Sequence, residues 1–251
     1  NLDRRSFFDI RRVGLIACGT SLHAALAASY LLEELARVPC KVEIASELRY
    51  RNPIVDAKTL YFTVSQSGET ADTLAAMREI QRKGGKVLGI VNVVGSTIAR
   101  ESDGGIYIRS GPEIAVASTK AFTSQLLALT LFALKIGRMR DLSAAGGRKL
   151  LEALIKIPEQ IESYLAQDDD QIRKVAPYVL FLGRGVNYAT ALEGALKLKE
   201  VSYIQCEGLA AAEMKHGPIA LIGPGTPVIF LAPRDHLHSK TLSNIEEVKA
   251  R

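Results

Sequence analysis

The chain has 251 residues, of which 47% are hydrophobic and 24% charged, a composition typical of a globular protein and not of a disordered one. No apolar run reaches the roughly 18 residues that a membrane-spanning helix needs, which excludes such a helix. The net charge of +5 permits an anionic ligand, but the basic residues are scattered, Trp is absent and only 6% of residues are aromatic, so we expect no nucleic-acid partner.

The cysteines and histidines give little sign of disulfide or metal chemistry. Cys18, Cys40 and Cys206 are odd in number and form no CxxC pair, which indicates a reducing compartment and therefore a cytoplasmic location. His236 and His238 form an H-x-H pair with no third ligand close to them in the sequence. We expect neither a metal nor another cofactor.

The first half of the chain alternates short apolar runs with longer helical segments. Such alternation predicts βαβ units, that is, an α/β fold with a mostly parallel sheet and helices on both of its faces. The continuous apolar character of 60–64 and 87–91 agrees, since strands covered on both faces show no polar alternation. Strands are predicted at 13–18, 41–44, 59–64, 86–91 and 105–108, and helices at about 22–37, 71–83 and 119–139.

A charged stretch at 142–173 separates two parts of the chain. It predicts a connecting pair of helices, broken at Pro158 and at the three aspartates 168–170. The strand–turn–helix rhythm then returns. The predicted elements of this second part are a strand at 178–182, a glycine turn at 183–185, a helix at 188–203 and a later strand at 228–231.

The return of this rhythm indicates an internal repeat. Placing Gly19 on Gly183, an offset of 164 residues, superposes strand, glycine turn and Ala-rich helix. We therefore interpret residues 1–140 as a first α/β lobe, 141–174 as a connecting helical segment and 175–251 as a second, related lobe. The last predicted strand ends in Ala-Pro-Arg and not in a serine-rich turn, so the repeat is degenerate.

The sharpest local feature is the SQSGET turn, residues 65–70, where a predicted strand runs into a helix. A helix N-terminus offers free backbone N–H groups and the positive end of the helix dipole, and Gly68 allows a ligand to approach the backbone. Ser65, Ser67 and Thr70 add three hydroxyl groups within one turn. An ordinary helix cap needs only one hydroxyl, so three of them favour a site for a phosphate monoester.

A second hydroxyl-bearing turn, Gly19-Thr20-Ser21, follows the first predicted strand, and we expect it at the same edge of the sheet. By itself it is equally compatible with a plain turn. Neither turn has the pattern of a nucleotide site, because no GxGxxG motif follows a strand and no Walker lysine follows the glycines.

Candidates for acid/base chemistry lie in the second half of the chain. Glu193, Lys197 and Glu200 share one helix face, at positions i, i+4 and i+7. They are interpreted either as a surface ion-pair stripe, which the spacing alone favours, or as an acid/base pair in which Lys197 tunes the Glu200 carboxylate. His216 lies in a segment that ends in Gly-Pro, where a histidine suits proton transfer near neutral pH, although a lone loop histidine is more often structural.

Five motifs along the chain carry a resemblance to a known family. They are CGTS at 18–21, SQSGET at 65–70, GPEIAVASTK at 111–120, ALEGALKLKE at 191–200 and EMKHGP at 213–218. With these motifs, the chain resembles the isomerase part of the isomerising glutamine–fructose-6-phosphate aminotransferases, the glucosamine-6-phosphate synthases. SQSGET marks only the broad sugar-isomerase (SIS) fold, whereas the last three motifs together are specific to this family.

The resemblance implies two SIS lobes and the conversion of fructose 6-phosphate to glucosamine 6-phosphate, with glucose 6-phosphate as a further ligand. It also implies a role for each matching position. Ser65, Gln66, Ser67 and Thr70 match the residues that hold the sugar phosphate, and Thr20, Ser21, Val116 and Ser118 match those that line the sugar.

Three further positions match catalytic residues of the family. Glu200 matches the carboxylate that moves a proton between C1 and C2, and Lys197 matches the lysine that assists proton traffic between the sugar oxygens. His216 matches the ring-opening histidine, which in the family reaches into the site of the neighbouring subunit. The resemblance therefore implies a homodimer.

Family members also carry parts that are not in this sequence. The chain begins at Asn1 without an initiator Met, which favours a piece of a longer protein, and the family's glutaminase domain, which releases ammonia from glutamine, is expected in the parent chain. The family's C-terminal tail supplies a lysine that forms an imine with the ketose, whereas this sequence stops at Arg251. We expect the transferase chemistry in the parent chain, not in this fragment alone.

Two other readings of the sequence remain open. One is a stand-alone relative, such as an amino-sugar phosphate deaminase or deglycase, which shares both lobes but has no glutaminase domain. The other is a non-catalytic sugar-phosphate sensor, similar to the effector domains of transcription regulators. A sensor needs the SQSGET turn but no acid/base helix, so Lys197 and Glu200 favour an enzyme over it.

Overall fold

The computed structural model describes residues 4–115, 117–166 and 178–251. The first lobe consists of the strands β1 (Arg12–Ala17), β2 (Cys40–Ile44), β3 (Thr59–Ser65), β4 (Lys86–Val91) and β5 (Gly105–Tyr107) and the helices α1 (Arg4–Asp9), α2 (Gly19–Ala36), α3 (Ala45–Leu48), α4 (Ala71–Arg82), α5 (Thr97–Glu101) and α6 (Lys120–Arg138). Its five strands form one parallel sheet in the order β2-β1-β3-β4-β5.

Helices cover both faces of this sheet. On one face α2 and α6 pack against the central strands, where the rings of Phe62 and Phe132 meet edge to face at 4.7 Å. On the other face α3, α4 and α5 pack side chains such as Met77 against Ile16 and Val91. Each fully buried side chain of this size contributes about 1.5–3 kcal/mol to the free energy of folding. The predicted α/β class is confirmed.

In the described part of the connecting segment, one helix, α7 (Ala144–Leu165), follows the first lobe. Ser143 caps it, since its Oγ accepts a hydrogen bond from the Gly146 N–H at 3.0 Å. The helix continues through Pro158, so the predicted break at this residue is wrong. Proline removes one backbone donor from the helix, and this 22-residue helix accommodates the loss. The three aspartates 168–170 lie outside the described residues.

The second lobe contains a three-stranded parallel sheet in the order β7-β6-β8. Its elements are β6 (Tyr178–Gly183), α8 (Val186–Ser202), β7 (Gln205–Ala210), two short 3₁₀ turns (Ala211–His216 and Pro218–Leu221), β8 (Val228–Phe230) and α9 (His238–Lys249). Helix α8 packs on one face, against Val179 and Cys206, and α9 packs on the other, against Leu180 and Leu182. Both lobes are thus layered in the same way. None of the helices in the described ranges combines the length and apolar character that crossing a bilayer requires.

The two sheets share one register. In the first lobe Val13 of β1 pairs with Cys40 of β2, and in the second Val179 of β6 pairs with Cys206 of β7. Both pairs are related by 166 residues (13 and 179, 40 and 206). The central strand, the neighbour on each side and the helix that follows the central strand therefore correspond between the lobes.

The glycine that begins the helix after the central strand is equivalent in the two lobes. Gly19 and Gly185 both have a φ of 55°, a left-handed conformation that favours glycine. Gly19 therefore aligns with Gly185, and the predicted alignment with Gly183 is two residues out of register. Gly183 and Gly185 lie in one Gly-Arg-Gly turn, and only the backbone conformation shows which of them corresponds to Gly19.

The lobes meet along α2 and α8. Thr20 near the start of α2 bonds Lys197 near the end of α8, and His23, one turn later in α2, bonds Glu193, one turn earlier in α8. The two helices are therefore antiparallel. Because α2 begins at the carboxyl end of β1, this packing places the C-terminal end of α8 at the carboxyl edge of the first sheet.

Candidate active site

The hydroxyl groups of the SQSGET turn bond within the turn and do not cap the helix. Ser65 Oγ accepts a hydrogen bond from the Gly68 N–H and lies 3.0 Å from Thr70 Oγ1, and Ser67 Oγ accepts one from the Glu69 N–H at 3.1 Å. Thr70 occupies the N-cap position of α4, but its side chain makes no cap hydrogen bond. The first N–H groups of α4 are therefore free to bind an anion.

Neighbouring elements fix the conformation of this turn. Gly68 has a φ of 67°, and a Cβ at this position would lie 2.0 Å from Ser96 Oγ. Its carbonyl accepts a hydrogen bond from the Ile98 N–H at 3.0 Å. Glu69 Oε1 accepts one from the Thr97 N–H at 2.7 Å, and this bond holds the pKa of Glu69 below its ordinary value. Only glycine fits at position 68, and the turn is preorganised.

Asn92 connects the SQSGET turn to the loop that leads to α6. Its N–H donates to the Gln66 carbonyl at 3.1 Å, so that Gln66 is anchored through its backbone. Its side chain accepts from the Ser110 N–H at 2.9 Å and donates to the Gly111 carbonyl at 2.7 Å. One amide thereby sets the relative position of two predicted binding segments.

Glu113 organises the end of this loop. Its carboxylate accepts hydrogen bonds from Ser118 Oγ at 3.4 Å, the Thr119 N–H at 3.3 Å and the Ala121 N–H at 3.1 Å. It thus stabilises the start of α6 and orients Ser118, one of the residues predicted to line the sugar. Val116, predicted beside it, lies outside the described residues.

The Gly19-Thr20-Ser21 turn lies next to the SQSGET turn, as expected. The strands that lead into the two turns, β1 and β3, are neighbours, and both turns follow their carboxyl ends. Ser21 is buried, and Thr20 Oγ1 accepts a hydrogen bond from Lys197 Nζ at 3.1 Å. The second lobe therefore contributes a side chain directly to this edge of the first sheet.

Lys197 lies between two carboxylates. Its Nζ is 2.5 Å from Glu200 Oε2 and 3.5 Å from Glu193 Oε1. The Lys197 and Glu200 side chains are 22% and 30% exposed, so a ligand can reach both, whereas the Glu193 side chain is only 7% exposed. The ion pairs expected from the spacing are present, but they do not form an open surface stripe, because Glu193 is buried and this face of α8 packs against α2.

Two of these residues could not be assigned from the sequence. The sequence does not indicate a role for His23, and it groups Glu193 with Lys197 without a role of its own. His23 Nδ1 lies 2.7 Å from Glu193 Oε2, across the boundary between the lobes. The only signal in the sequence is a histidine within the Ala-rich helix α2, where an apolar residue would be expected.

His216 lies apart from these residues. It ends the 3₁₀ turn that follows the carboxyl end of β7, and its side chain is exposed. Helix α8 starts near that edge of the second sheet and runs away from it, and Glu200 lies 14 residues further along, about 21 Å from its start. In the described part of the chain, no hydrogen bond joins His216 to another predicted site residue.

Other binding features are absent from this site or lie elsewhere. Within the described ranges, no group of three or more His, Cys, Asp or Glu side chains is arranged to hold a metal ion. A cavity of about 480 Å³ lies at the opposite edge of the first sheet, around Arg12 and Lys41, and one of about 580 Å³ lies beside β5, around Leu131. Ligands of parallel α/β sheets bind at the carboxyl edge, where the predicted residues gather.

Comparison with known proteins agrees with this architecture. The chain matches the SIS domain family over residues 6–135 and 172–251. It is 51% identical over 247 residues to the glutamine–fructose-6-phosphate aminotransferase (isomerising) of Chlorobaculum tepidum, covering 96% of this chain and 40% of that protein. The chain thus spans about two fifths of the length of this curated relative.

Solved structures show the same relationship. The C-terminal domain of glucosamine-fructose-6-phosphate aminotransferase from Francisella tularensis is 44% identical, with a TM-score of 0.93 over 100% of this chain and 73% of that one. Glucosamine-6-phosphate deaminase from Thermotoga maritima is 27% identical, with a TM-score of 0.80 over 96% of this chain and 73% of that one. The chain belongs to the SIS domain family and, within it, to the isomerase domains of the glutamine–fructose-6-phosphate aminotransferases.

Proposed function

We propose that the chain is the part of such an aminotransferase that binds fructose 6-phosphate and rearranges it to the aldose form, from which glucosamine 6-phosphate arises. The observation that carries this proposal is the arrival of Lys197 and Glu200, from the second lobe, at Thr20 beside the SQSGET turn. Phosphate-binding groups and an acid/base pair thus occur at one edge of one sheet.

The phosphate is bound by the SQSGET turn. Ser65, Ser67 and Thr70 supply hydroxyl donors, Gln66 supplies an amide, and α4 supplies free N–H groups and its dipole. Binding of the phosphate replaces the hydrogen bonds that the hydroxyls make within the turn. Neutral donors suffice here because a hydrogen bond to a charged group is about twice as strong as one between neutral groups.

The sugar extends from the phosphate toward α8, lined by Thr20, Ser21, Val116 and Ser118. Thr20 is half-buried and already bonded to Lys197, so a sugar hydroxyl that reaches this point meets both side chains. Glucose 6-phosphate and glucosamine 6-phosphate present the same phosphate and similar hydroxyls, and the same groups bind them.

Glu200 moves the proton. Conversion of a ketose phosphate to an aldose phosphate removes a proton from C1 and delivers one to C2, through an enediol intermediate. One carboxylate on one face of this enediol can carry out both transfers. Glu200 takes the C1 proton and returns it to C2, while the Lys197 ammonium stabilises negative charge on the sugar oxygens and hydrogen-bonds the carboxylate. In the amination, ammonia replaces the C2 oxygen, water leaves, and the same proton shift gives glucosamine 6-phosphate.

His216 opens the sugar ring from a neighbouring subunit, which makes the functional unit a homodimer. The support for this is its exposed position near the far end of α8 from Glu200. The ammonia comes from a glutaminase domain of the parent chain. The three cysteines are free thiols, which supports a location in the reducing cytoplasm.

The proposal is tested in two steps, sugar-phosphate binding with this chain and proton exchange with the full-length parent chain. Calorimetric titration with fructose 6-phosphate is expected to show binding at least a hundredfold tighter than with unphosphorylated fructose. Proton NMR in deuterated water is then expected to show loss of a C1 proton of bound fructose 6-phosphate. Equal affinity for both sugars would contradict the phosphate site, and binding without C1 exchange would contradict the proton-transfer function.

A further inference from the structure

His23 and Glu193 form a polar pair inside the boundary between the lobes. Their side chains are 15% and 7% exposed, and His23 Nδ1 lies 2.7 Å from Glu193 Oε2. An ionised carboxylate can only accept hydrogen bonds, so Nδ1 carries the hydrogen and donates it. His23, in the first lobe, thus holds one carboxylate oxygen of Glu193, which belongs to the second lobe.

The other oxygen of Glu193 accepts no hydrogen bond from the residues that the structure describes. Oε1 is buried, and its nearest charged neighbour in the described residues is Lys197 Nζ at 3.5 Å, an ion-pair distance without hydrogen-bond geometry. The Lys197 ammonium instead bonds Glu200 Oε2 at 2.5 Å and Thr20 Oγ1 at 3.1 Å. A buried carboxylate oxygen without a hydrogen bond is unusual and requires an explanation.

We infer that His23 is a positioning residue for the proton transfer, an inference that rests on the proposed function. It holds Glu193 so that Oε1 is the second acceptor for the Lys197 ammonium. When Glu200 takes the C1 proton, its carboxylate becomes neutral, the negative charge passes to the sugar oxygens, and one N–H of the Lys197 ammonium loses its ionic acceptor. The ammonium then moves less than about 1 Å, from 3.5 Å to hydrogen-bond distance of Glu193 Oε1.

The protons balance without any further group. One proton passes from C1 to Glu200 and from Glu200 to C2. A second proton passes from the O1 hydroxyl to O2, as the Lys197 ammonium gives a proton to O2 and takes one from O1, so that it holds three before and after. Glu193 stays ionised, and His23 keeps its Nδ1 hydrogen. The ammonium therefore remains paired with a carboxylate in both protonation states of Glu200, so the proton transfer never leaves an unpaired charge at the lobe boundary.

The alternative is that the pair merely fastens the lobes together, and substitutions at His23 distinguish the two roles. His23→Leu removes the donor and keeps similar bulk. His23→Asn keeps a donor, since the amide Nδ2 occupies nearly the place of the imidazole Nδ1. Tyr30→Leu is the matched control, because Tyr30 lies two turns further along α2 at the same boundary, close to Tyr188 of α8.

The substitutions are made in the full-length parent chain. The readouts are the rate of C1 proton exchange at saturating fructose 6-phosphate and the dissociation constant of the sugar phosphate. We expect His23→Leu to slow exchange at least tenfold while the dissociation constant changes less than threefold. His23→Asn is expected to retain at least a third of the wild-type rate, and Tyr30→Leu at least half. Glu193→Gln is expected to slow exchange as much as His23→Leu. Because this substitution is isosteric, it preserves the fold even if His23→Leu does not.

Several outcomes would overturn the inference. They are a wild-type exchange rate in His23→Leu or in Glu193→Gln, equal losses in His23→Leu and Tyr30→Leu, and a fall in affinity that matches the fall in rate. An absence of C1 exchange in the unsubstituted chain would contradict the proposed function and the inference together, whereas normal exchange in the unsubstituted chain with no effect of His23→Leu would overturn only the inference.

Discussion

The two lobes share an architecture but differ at their equivalent turns. In the first lobe β3 runs into the SQSGET turn, with its hydroxyls and the uncapped N-terminus of α4. In the second, β8 runs into a turn at 231–237 in which the Asp235 carboxylate accepts a hydrogen bond from the Leu237 N–H at 2.8 Å. A carboxylate in this place repels a phosphate. The second lobe has kept the strand order and register but not the anion site.

The helices after the central strands show the complementary difference. Helix α2 contributes polar groups at its N-terminal end, Thr20 and Ser21, whereas α8 contributes Lys197 and Glu200 near its C-terminal end. In the proposed function, one lobe therefore binds the substrate and the other supplies the proton-transfer groups. By this proposal, the repeat divides one task between its two copies, and substitutions in each copy test the division.

The largest effect is expected from Glu200→Gln. Removal of a general acid/base group lowers rates by about 10²–10⁴-fold, so C1 proton exchange in fructose 6-phosphate should nearly vanish. Affinity for the sugar phosphate should stay within a few fold, because binding belongs to the other lobe. Exchange is followed in the full-length parent chain by NMR in deuterated water, with Glu246→Gln on α9 as an exposed control. Retained exchange would show that Glu200 is not the shuttle.

The next largest effect is expected from Ser67→Ala combined with Thr70→Ala. Each hydrogen bond to an anionic phosphate contributes about 1.5–3 kcal/mol, so the dissociation constant should rise by about a hundredfold or more. Ser239→Ala, at the start of α9 in the equivalent part of the second lobe, should leave the affinity unchanged. Calorimetry measures both variants and the wild type. Comparable losses in the Ser239→Ala variant would mean that the second lobe also binds phosphate.

A smaller effect is expected from Gly68→Ala. Its φ of 67° costs an L-residue about 1–2 kcal/mol, and the added Cβ would lie 2.0 Å from Ser96 Oγ, so the SQSGET turn must deform. We expect a roughly tenfold loss of phosphate affinity as well as a lower midpoint of thermal unfolding. Gly225→Ala, in the second lobe, has a φ of 85° but meets nothing within 4 Å, and should lower stability alone. Equal affinities in the two variants would contradict the tight packing of the turn.

The smallest effect concerns the equivalent cysteines of the two lobes. Burial, with a smaller effect of Glu33, raises the pKa of Cys40 to about 12, and burial also raises that of Cys206. A thiol whose pKa is raised in the folded state contributes stability below its unfolded pKa, near 9, and loses it as pH rises toward 12. Denaturant unfolding at pH 8 and pH 10 should therefore show a larger loss of stability in the wild type than in Cys40→Ser. An identical pH dependence of the two proteins would mean that Cys40 ionises normally in the fold.

The sequence predicted most of the first lobe because its strands are short apolar runs that end in glycine or serine turns. Strand β7 was missed because its sequence, QCEGLA, contains a polar residue, a charge and a glycine, and shows no apolar run. The break at Pro158 was wrong because the local cost of proline does not by itself decide whether a helix continues.

The candidate site was predictable only in part, for a related reason. The SQSGET turn can be predicted because its three hydroxyl residues and its glycine lie within six consecutive positions. The His23–Glu193 pair joins residues 170 positions apart, and its existence depends on how α2 and α8 slide along each other. The sequence of either helix alone does not specify their relative axial position. The network around Lys197 can therefore be identified only from the packing of the two lobes.

The antiparallel packing of α2 and α8 separates two properties that are inseparable in a site built from one loop. Substitutions on the face of α8 that meets α2 change which groups reach the sugar, while the SQSGET turn and its affinity for phosphate stay as they are. A protein with this arrangement can acquire a different reaction on the same class of substrate through a few changes along one helix. In the proposed function, the SQSGET turn keeps the phosphate-binding role, and the face of α8 that meets α2 determines the reaction.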